Sequence, residues 1–358
     1  MAADRNLGDM LQLQSDIATA VASALKVTLL GDEAAKVEVG GTHSPAAFDA
    51  YLRASKAYFS IRSGKDSQTA IGQYTQAIRL DPNYALAYAA RALAAANFAD
   101  QWATTVSAVR SALDNAKADA HKSIALAPDL GEGHLAMARV YEDLLQFAPA
   151  VEEYGHALTL APGSARVLRN YGRFSIFMGR STDGLTALRR AVALDPLNVQ
   201  SHGSRGLGLL NLRRYADAVI AFKDAVALDP TGVTLASAWL GHAYYLLGDL
   251  ETARSYCETT GDLDTGQFCL AITYDKLGRH ADAEKMLARA RATNGDTTAV
   301  WYTWIYAQWG NTPRALDWLE TAMRLRDPDL RQLKNPLLDP LRNEPRFQAI
   351  ERALRFPN

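Results

Sequence analysis

The chain has 358 residues, of which 38 are basic and 39 are acidic, so its formal net charge is −1 at neutral pH. A general nucleic-acid-binding protein needs a surplus of lysine and arginine to displace counterions from phosphate, and this balance argues against that class. Hydrophobic residues make up 48% of the chain and alanine is abundant, which favours an all-α protein because alanine has the highest helix propensity.

The amino-terminal residues are not those of a secretory signal, since Asp4 and Asp9 stand where an apolar run would be needed. No stretch approaches the roughly 18 uncharged apolar residues that a membrane-spanning helix requires. We therefore expect a cytoplasmic protein with no membrane contact.

Residues 6–30 are predicted to form one amphipathic helix, because apolar side chains recur there at spacings of three and four. Gly31 ends this helix, and a linker with little periodicity runs to residue 44. Pro45 opens the next helix at a position where its missing N–H costs nothing. Residues 1–44 are thus expected to form an amino-terminal helix and linker.

A repeat with a period of 34 residues follows. It is carried by the tripeptides Leu126-Ala127-Pro128, Leu160-Ala161-Pro162, Leu194-Asp195-Pro196 and Leu228-Asp229-Pro230. A fixed period of this size is typical of stacked helical hairpins. We count about eight units within residues 45–330, and extra residues around 101–112 are predicted to lengthen the helices of the second.

Small residues lie where a hairpin needs them. Gly172, Gly206 and Gly241 fall in first helices, at points where the second helix must come close. Glycines that can adopt positive φ fall at the turns between the two helices, namely Gly179, Gly248, Gly278 and Gly310.

This pattern of small, alanine, turn and proline positions resembles the tetratricopeptide repeat family over about residues 51–329. The resemblance implies an all-α, right-handed superhelical solenoid whose first helices line a concave groove for a protein partner. An open hairpin face exposes apolar surface, so caps are expected at the ends. Residues 331–358 are the predicted carboxy-terminal cap, with a helix beginning at Pro345.

The two ends of the chain carry a second resemblance. LGDMLQLQSDIATAVASAL near the start and DPLRNEPRFQAI near the end look like the carboxy-terminal halves of bacterial repeat-bearing adenylate cyclases and winged-helix transcriptional regulators. This resemblance implies an alternative function, in which the chain is the regulatory half of such a protein and the effector domain lies elsewhere.

Motifs for catalysis and cofactor binding are missing from the sequence. There is no dinucleotide fingerprint, phosphate loop, HExxH or GxSxG. The histidines are dispersed without metal-ligand spacing, and His134 and His202 occupy equivalent positions 68 residues apart. We therefore expect no enzyme activity, no cofactor and no metal, with packing or surface roles for the histidines.

One candidate site is a set of polar residues in the first helices of the third and fourth units. By the register of the family, the inward-facing residues include Arg139, Arg166, Arg169 and Arg173, with Asn170 beside them. Arginines at helical spacing repel one another unless anions neutralise them, so they could grip an acidic peptide. Alternatively, Glu132, Glu142 and Asp143 pair with them internally.

A second candidate is aromatic. It comprises Trp239, His242, Tyr245, Trp301 and Trp304, which could anchor a partner helix or peptide. The alternative is ordinary packing within and between hairpins.

The sequence thus predicts a non-catalytic scaffold that binds a protein or peptide partner, without direct nucleic-acid binding, and it does not fix the oligomeric state. Cys257 and Cys269 are expected to pack as small apolar residues, a disulfide being conceivable only in an oxidising compartment.

Overall fold

The computed structural model describes residues 39–59, 61, 63–229, 235–261 and 263–357. The helix predicted over residues 6–30 lies outside this range. Within it the secondary structure is entirely helical, as predicted. No described helix combines the length and the apolar character needed to cross a membrane.

The helices follow one another as hairpins. The first four pairs are α1 (Pro45–Phe59) with α2 (Gly64–Leu80), α3 (Ala85–Gln101) with α4 (Val106–Leu126), α5 (Gly131–Asp143) with α6 (Phe147–Leu160), and α7 (Ala165–Phe177) with α8 (Ser181–Leu194). The next four are α9 (Val199–Asn211) with α10 (Tyr215–Ala227), α11 (Leu235–Leu247) with α12 (Leu250–Thr259), α13 (Asp264–Lys276) with α14 (His280–Asn294), and α15 (Ala299–Gln308) with α16 (Thr312–Leu325). Two 3-10 helices, Pro328–Gln332 and Pro336–Leu341, and a final helix α17 (Pro345–Leu354) complete the described chain.

These elements form two compact units. Among the described residues, unit 1 contains those within 39–102, 109–140 and 152–161, and unit 2 contains those within 103–108, 141–151 and 162–357.

Several predicted boundaries are confirmed. Pro45 and Pro345 each begin a helix, and α4, in the second hairpin, has 21 residues. The turn glycines Gly179, Gly248, Gly278 and Gly310 all have positive φ, between 72° and 90°. In two other hairpins the same turn position is taken by Leu145 and Arg213, with φ of 59° and 58°.

Glycine is required where α7 and α8 of unit 2 cross. A Cβ added to Gly172 would lie 2.8 Å from the backbone oxygen of Gly184 and 2.7 Å from Cγ of Leu188. Real Cβ contacts are longer than this, so any side chain at Gly172 would separate the two helices. The small residue predicted here therefore sets the distance between the helices of the hairpin.

The structure links Cys257 of α12 and Cys269 of α13 in a disulfide, with their Cα atoms 5.7 Å apart. This differs from the expectation of two unlinked small residues, since the stacking of consecutive hairpins brings the two thiols together. Disulfides persist mainly in oxidising compartments, so this bond argues against the expected cytoplasmic location.

The carboxy-terminal segment, which we define as residues 326–341, lies in the core of unit 2. Asp327 and Asn335 cap its two 3-10 helices by accepting from the amides of Asp329 and Leu337. A proline follows each cap and presets φ for a helical turn. The leucines of the segment are at most 1% exposed, namely Leu330, Leu333, Leu337, Leu338 and Leu341.

Candidate binding surface

Three predicted arginines lie along one face of α7 in unit 2. The hydroxyl of Ser164 caps this helix by accepting from the amide of Val167. Arg166, Arg169 and Arg173 follow at spacings of three and four, which places them on a common face, and all three are half-buried. α7 thus contributes three arginines and no acidic residue of its own.

The polar contacts of this face are made within α7 and with the neighbouring helices. The Asn170 amide donates to the backbone oxygen of Arg166 at 2.8 Å, and Arg169 donates to the side-chain oxygen of Gln200 on α9. Nη2 of Arg173 lies 3.7 Å from Oε1 of Glu142, a fully buried carboxylate. Arg173 therefore takes part in the internal pairing that the sequence offered as an alternative.

Arg139, the fifth predicted residue, belongs to unit 1, whereas the other four belong to unit 2. Its side chain is 2% exposed, and Nη2 lies 4.0 Å from Oδ2 of Asp100 in the same unit. Within its own unit, Arg139 thus behaves as a buried charge beside an internal carboxylate.

The predicted aromatic residues lie together in the interior of unit 2. Trp239 of α11 packs against Trp301 and Trp304 of α15, with ring centroids 5.6 and 6.2 Å away. The two α15 rings are 4.5 Å apart, and all three indoles are at most 8% exposed. Such pairs stabilise a core beyond the area they bury.

His242 and Tyr245 extend this cluster. Nδ1 of His242 lies 2.9 Å from the backbone oxygen of Ala238, which can only accept, so Nδ1 carries the proton. Burial lowers the pKa of His242 to about 4, so its ring is neutral at pH 7. The Tyr245 hydroxyl donates to Gln308 at 2.8 Å, and burial raises the pKa of this hydroxyl.

The carboxy-terminal segment covers this aromatic cluster. Nε1 of Trp301 donates to Oδ2 of Asp329, and the side-chain amide of Gln308 donates to the backbone oxygen of Leu337 at 2.6 Å. At the start of the segment, Asp327 accepts from the amide of Val300 at 3.0 Å. Burial, with the nearby charge of Asp329, raises the pKa of Asp327. The aromatic residues are thus in contact with the chain's own carboxy-terminal segment.

Arg331 is the principal polar residue that sequence reasoning missed. Its side chain is 3% exposed, Nη1 donates to Oδ1 of Asp143 at 2.9 Å, and Nη2 lies 3.2 Å from Oδ1 of Asp329. Nε lies 3.5 Å from Oε1 of Glu142. Glu142 and Asp143, the carboxylates considered as partners for the α7 arginines, are therefore shared with an arginine from the far end of the chain.

Other cations of the segment contact the carboxyl ends of first helices. Arg326 donates to the backbone oxygen of Leu144, just after α5, at 3.1 Å. Lys334 donates to the backbone oxygen of Met178, just after α7, at 3.3 Å. The last carbonyls of a helix lack intrahelical partners and carry partial negative charge, so these cations satisfy and neutralise them.

Comparison with known proteins agrees with this architecture. The tetratricopeptide repeat family model matches residues 176–233, which run from the end of α7 through α10. Residues 176–233 thus match the tetratricopeptide repeat, and the described residues have the all-α hairpin fold of such repeats. No curated protein matches the chain.

Solved structures with the same tetratricopeptide fold share little sequence with this chain. The Cut9–Hcn1 heterotetramer of the APC/C has a TM-score of 0.55 at 14% identity, covering 81% of this chain and 52% of that one. The human IFIT1 dimer with PPP-AAAA has a TM-score of 0.53 at 17% identity, covering 74% and 69%. PilF of Pseudomonas aeruginosa has a TM-score of 0.43 at 20% identity, covering 57% and 90%.

Proposed function

We propose that the protein is a non-catalytic scaffold that binds an acidic peptide or helix of a partner protein on the arginine face of α7. Tetratricopeptide repeats suggest an interaction scaffold in general. The observation that carries the finer proposal is the alignment of Arg166, Arg169 and Arg173 on a half-exposed helix face without an acidic residue. Guanidinium groups bind carboxylates through two parallel hydrogen bonds, which would fix the orientation of the partner.

The aromatic residues predicted as partner anchors pack inside unit 2 and are not part of the proposed binding surface. Trp239, Trp301 and Trp304 are buried, and the carboxy-terminal segment contacts the cluster that they form. Arg173 shares Glu142 with Arg331, and the proposed partner contacts are Arg166, Arg169 and Asn170. The likeness of the chain ends to cyclase and regulator halves remains a prediction.

The proposal is tested by charge reversal on the two helices of one hairpin. Wild-type protein, an Arg166→Glu/Arg169→Glu variant and an Arg189→Glu/Arg190→Glu variant are each immobilised and exposed to native cell extract. The control changes the same number of charges at two exposed positions of α8. Quantitative mass spectrometry then compares the captured proteins.

We expect one acidic-segment protein to be captured by the wild type and the α8 control but depleted at least about tenfold by the α7 variant. Equal capture by all three would contradict the proposed surface. Circular dichroism of the variants checks that the helices remain folded.

A further inference from the structure

Two histidines and a glutamate come together in unit 1. His134 lies on α5, and Glu153 and His156 lie on α6, one turn apart. Nδ1 of His134 is 2.7 Å from Oε2 of Glu153, and Nδ1 of His156 is 4.0 Å from the same oxygen. The ligand atoms of all three side chains lie within 4.8 Å of one another. No local sequence pattern marks this cluster, because its members come from two helices.

The hydrogen bonds of His134 fix which nitrogen faces the carboxylate. Nε2 lies 2.9 Å from the backbone oxygen of Pro128, which only accepts, so Nε2 carries a hydrogen. In a neutral ring, Nδ1 then presents its lone pair to Oε2 of Glu153. Two lone pairs at this distance repel each other unless a proton or a metal cation lies between them. A metal-binding histidine is commonly oriented in this way, by donating from its other nitrogen to a backbone carbonyl.

An equivalent histidine in unit 2 shows how the same arrangement is neutralised by a protein side chain. Nε2 of His202 lies 2.9 Å from the backbone oxygen of Pro196, and its Nδ1 lies 3.6 Å from Oδ2 of Asp224. There the cation is Arg205, whose Nη2 is 2.7 Å from the same oxygen. Among the described residues, no lysine or arginine forms an ion pair with Glu153; a second histidine, His156, stands beside it instead.

We propose that His134, Glu153 and His156 bind a zinc ion, with a fourth position open to water. Imidazole nitrogens with one carboxylate are preferred by Zn²⁺, whereas Mg²⁺ and Ca²⁺ require oxygen ligands. Ligand atoms about 2.0–2.2 Å from a tetrahedral zinc are about 3.3 Å apart, so the His134–Glu153 gap must widen slightly. His156 has 64% of its side chain exposed, so its ring is free to turn towards the ion.

The test is titration calorimetry of tag-free protein with Zn²⁺ at pH 7.5. Wild-type protein is expected to bind one zinc per chain. Glu153→Gln and His156→Ala are expected to weaken this binding at least about tenfold. The matched control is His280→Ala, which removes an exposed histidine whose Nδ1 is 2.7 Å from Asp275 Oδ1 but which has no second histidine beside it. This control is expected to bind zinc as the wild type does.

Either of two results would overturn the proposal. Absence of one-to-one zinc binding by the wild type would mean that a proton alone bridges His134 and Glu153. Equal loss of binding in His280→Ala would mean that zinc binds dispersed surface histidines. Because His156 is exposed, its alanine variant is expected to fold, and circular dichroism verifies this before titration.

Discussion

Replacing Arg331 with methionine is expected to lower the free energy of unfolding of unit 2 by about 3–5 kcal/mol. Methionine keeps much of the apolar volume but leaves Glu142 and Asp143, both at most 1% exposed, without this guanidinium. Glu142 keeps Arg173 at 3.7 Å, but both buried carboxylates lose the guanidinium that offsets their lost hydration. Urea denaturation at pH 7 followed by tryptophan fluorescence measures the loss, since five of the six tryptophans lie in unit 2.

The matched control is Arg346→Met on α17. Arg346 also contacts two carboxylates, Asp317 at 2.9 Å and Glu320 at 2.7 Å, but its side chain is 43% exposed. Water screens such a pair, so this change is expected to cost no more than about 1 kcal/mol. Similar losses for the two variants would show that the Arg331 cluster does not hold the carboxy-terminal segment in unit 2.

Replacing Gly172 with alanine is expected to destabilise the protein by about 1–3 kcal/mol. The added methyl group would meet the backbone oxygen of Gly184 at 2.8 Å, and a backbone atom cannot move aside as a flexible side chain can. The helices α7 and α8 must separate, which loosens the packing of the whole hairpin. The same denaturation experiment measures the effect.

Gly203→Ala in α9 is the control, because the opposite change in stability is expected for it. A Cβ at Gly203 meets nothing within 4 Å, so only helix propensity changes. Alanine favours a helix interior over glycine by about 0.5–1 kcal/mol, and the variant is expected to be more stable by that amount. If both variants shift stability in the same direction, the close approach of α7 and α8 is not the reason for glycine at position 172.

The hairpins themselves follow from local sequence. The 34-residue period is a local signal repeated along the chain, and it fixes the positions of turns as well as helices. Leu145 and Arg213 each lie 34 residues from Gly179 and share its positive φ. The register of the repeat therefore determines this conformation even where no glycine is present to mark it.

The interior of unit 2 could not be predicted in the same way. Arg331 donates to Asp143, which lies 188 residues earlier in the chain, and no periodic pattern links the two. The aromatic residues lie on the first helices α11 and α15, but their exposure depends on where the carboxy-terminal segment lies. That segment contains short proline-interrupted 3-10 turns, which carry little helical periodicity.

The candidate binding face was partly predictable. Arg166, Arg169 and Arg173 lie on one side of α7, as their spacing requires. Their contacts depend on neighbouring hairpins and on the carboxy-terminal segment, which the sequence does not position. For Arg173 the alternative of internal pairing with Glu142 matches the contact in the structure.

The central claim is that the chain's own carboxy-terminal segment occupies the interior of unit 2. Hydrogen exchange of the amides of Leu330, Leu333 and Leu338, resolved by mass spectrometry or NMR, tests it most directly. Each of these amides donates to a carbonyl within the segment, and each of the three leucines is 0% exposed. We predict protection factors within about tenfold of those of the α15 amides, because the segment and α15 would both exchange only when unit 2 unfolds. Exchange as fast as in an unstructured peptide would contradict the account.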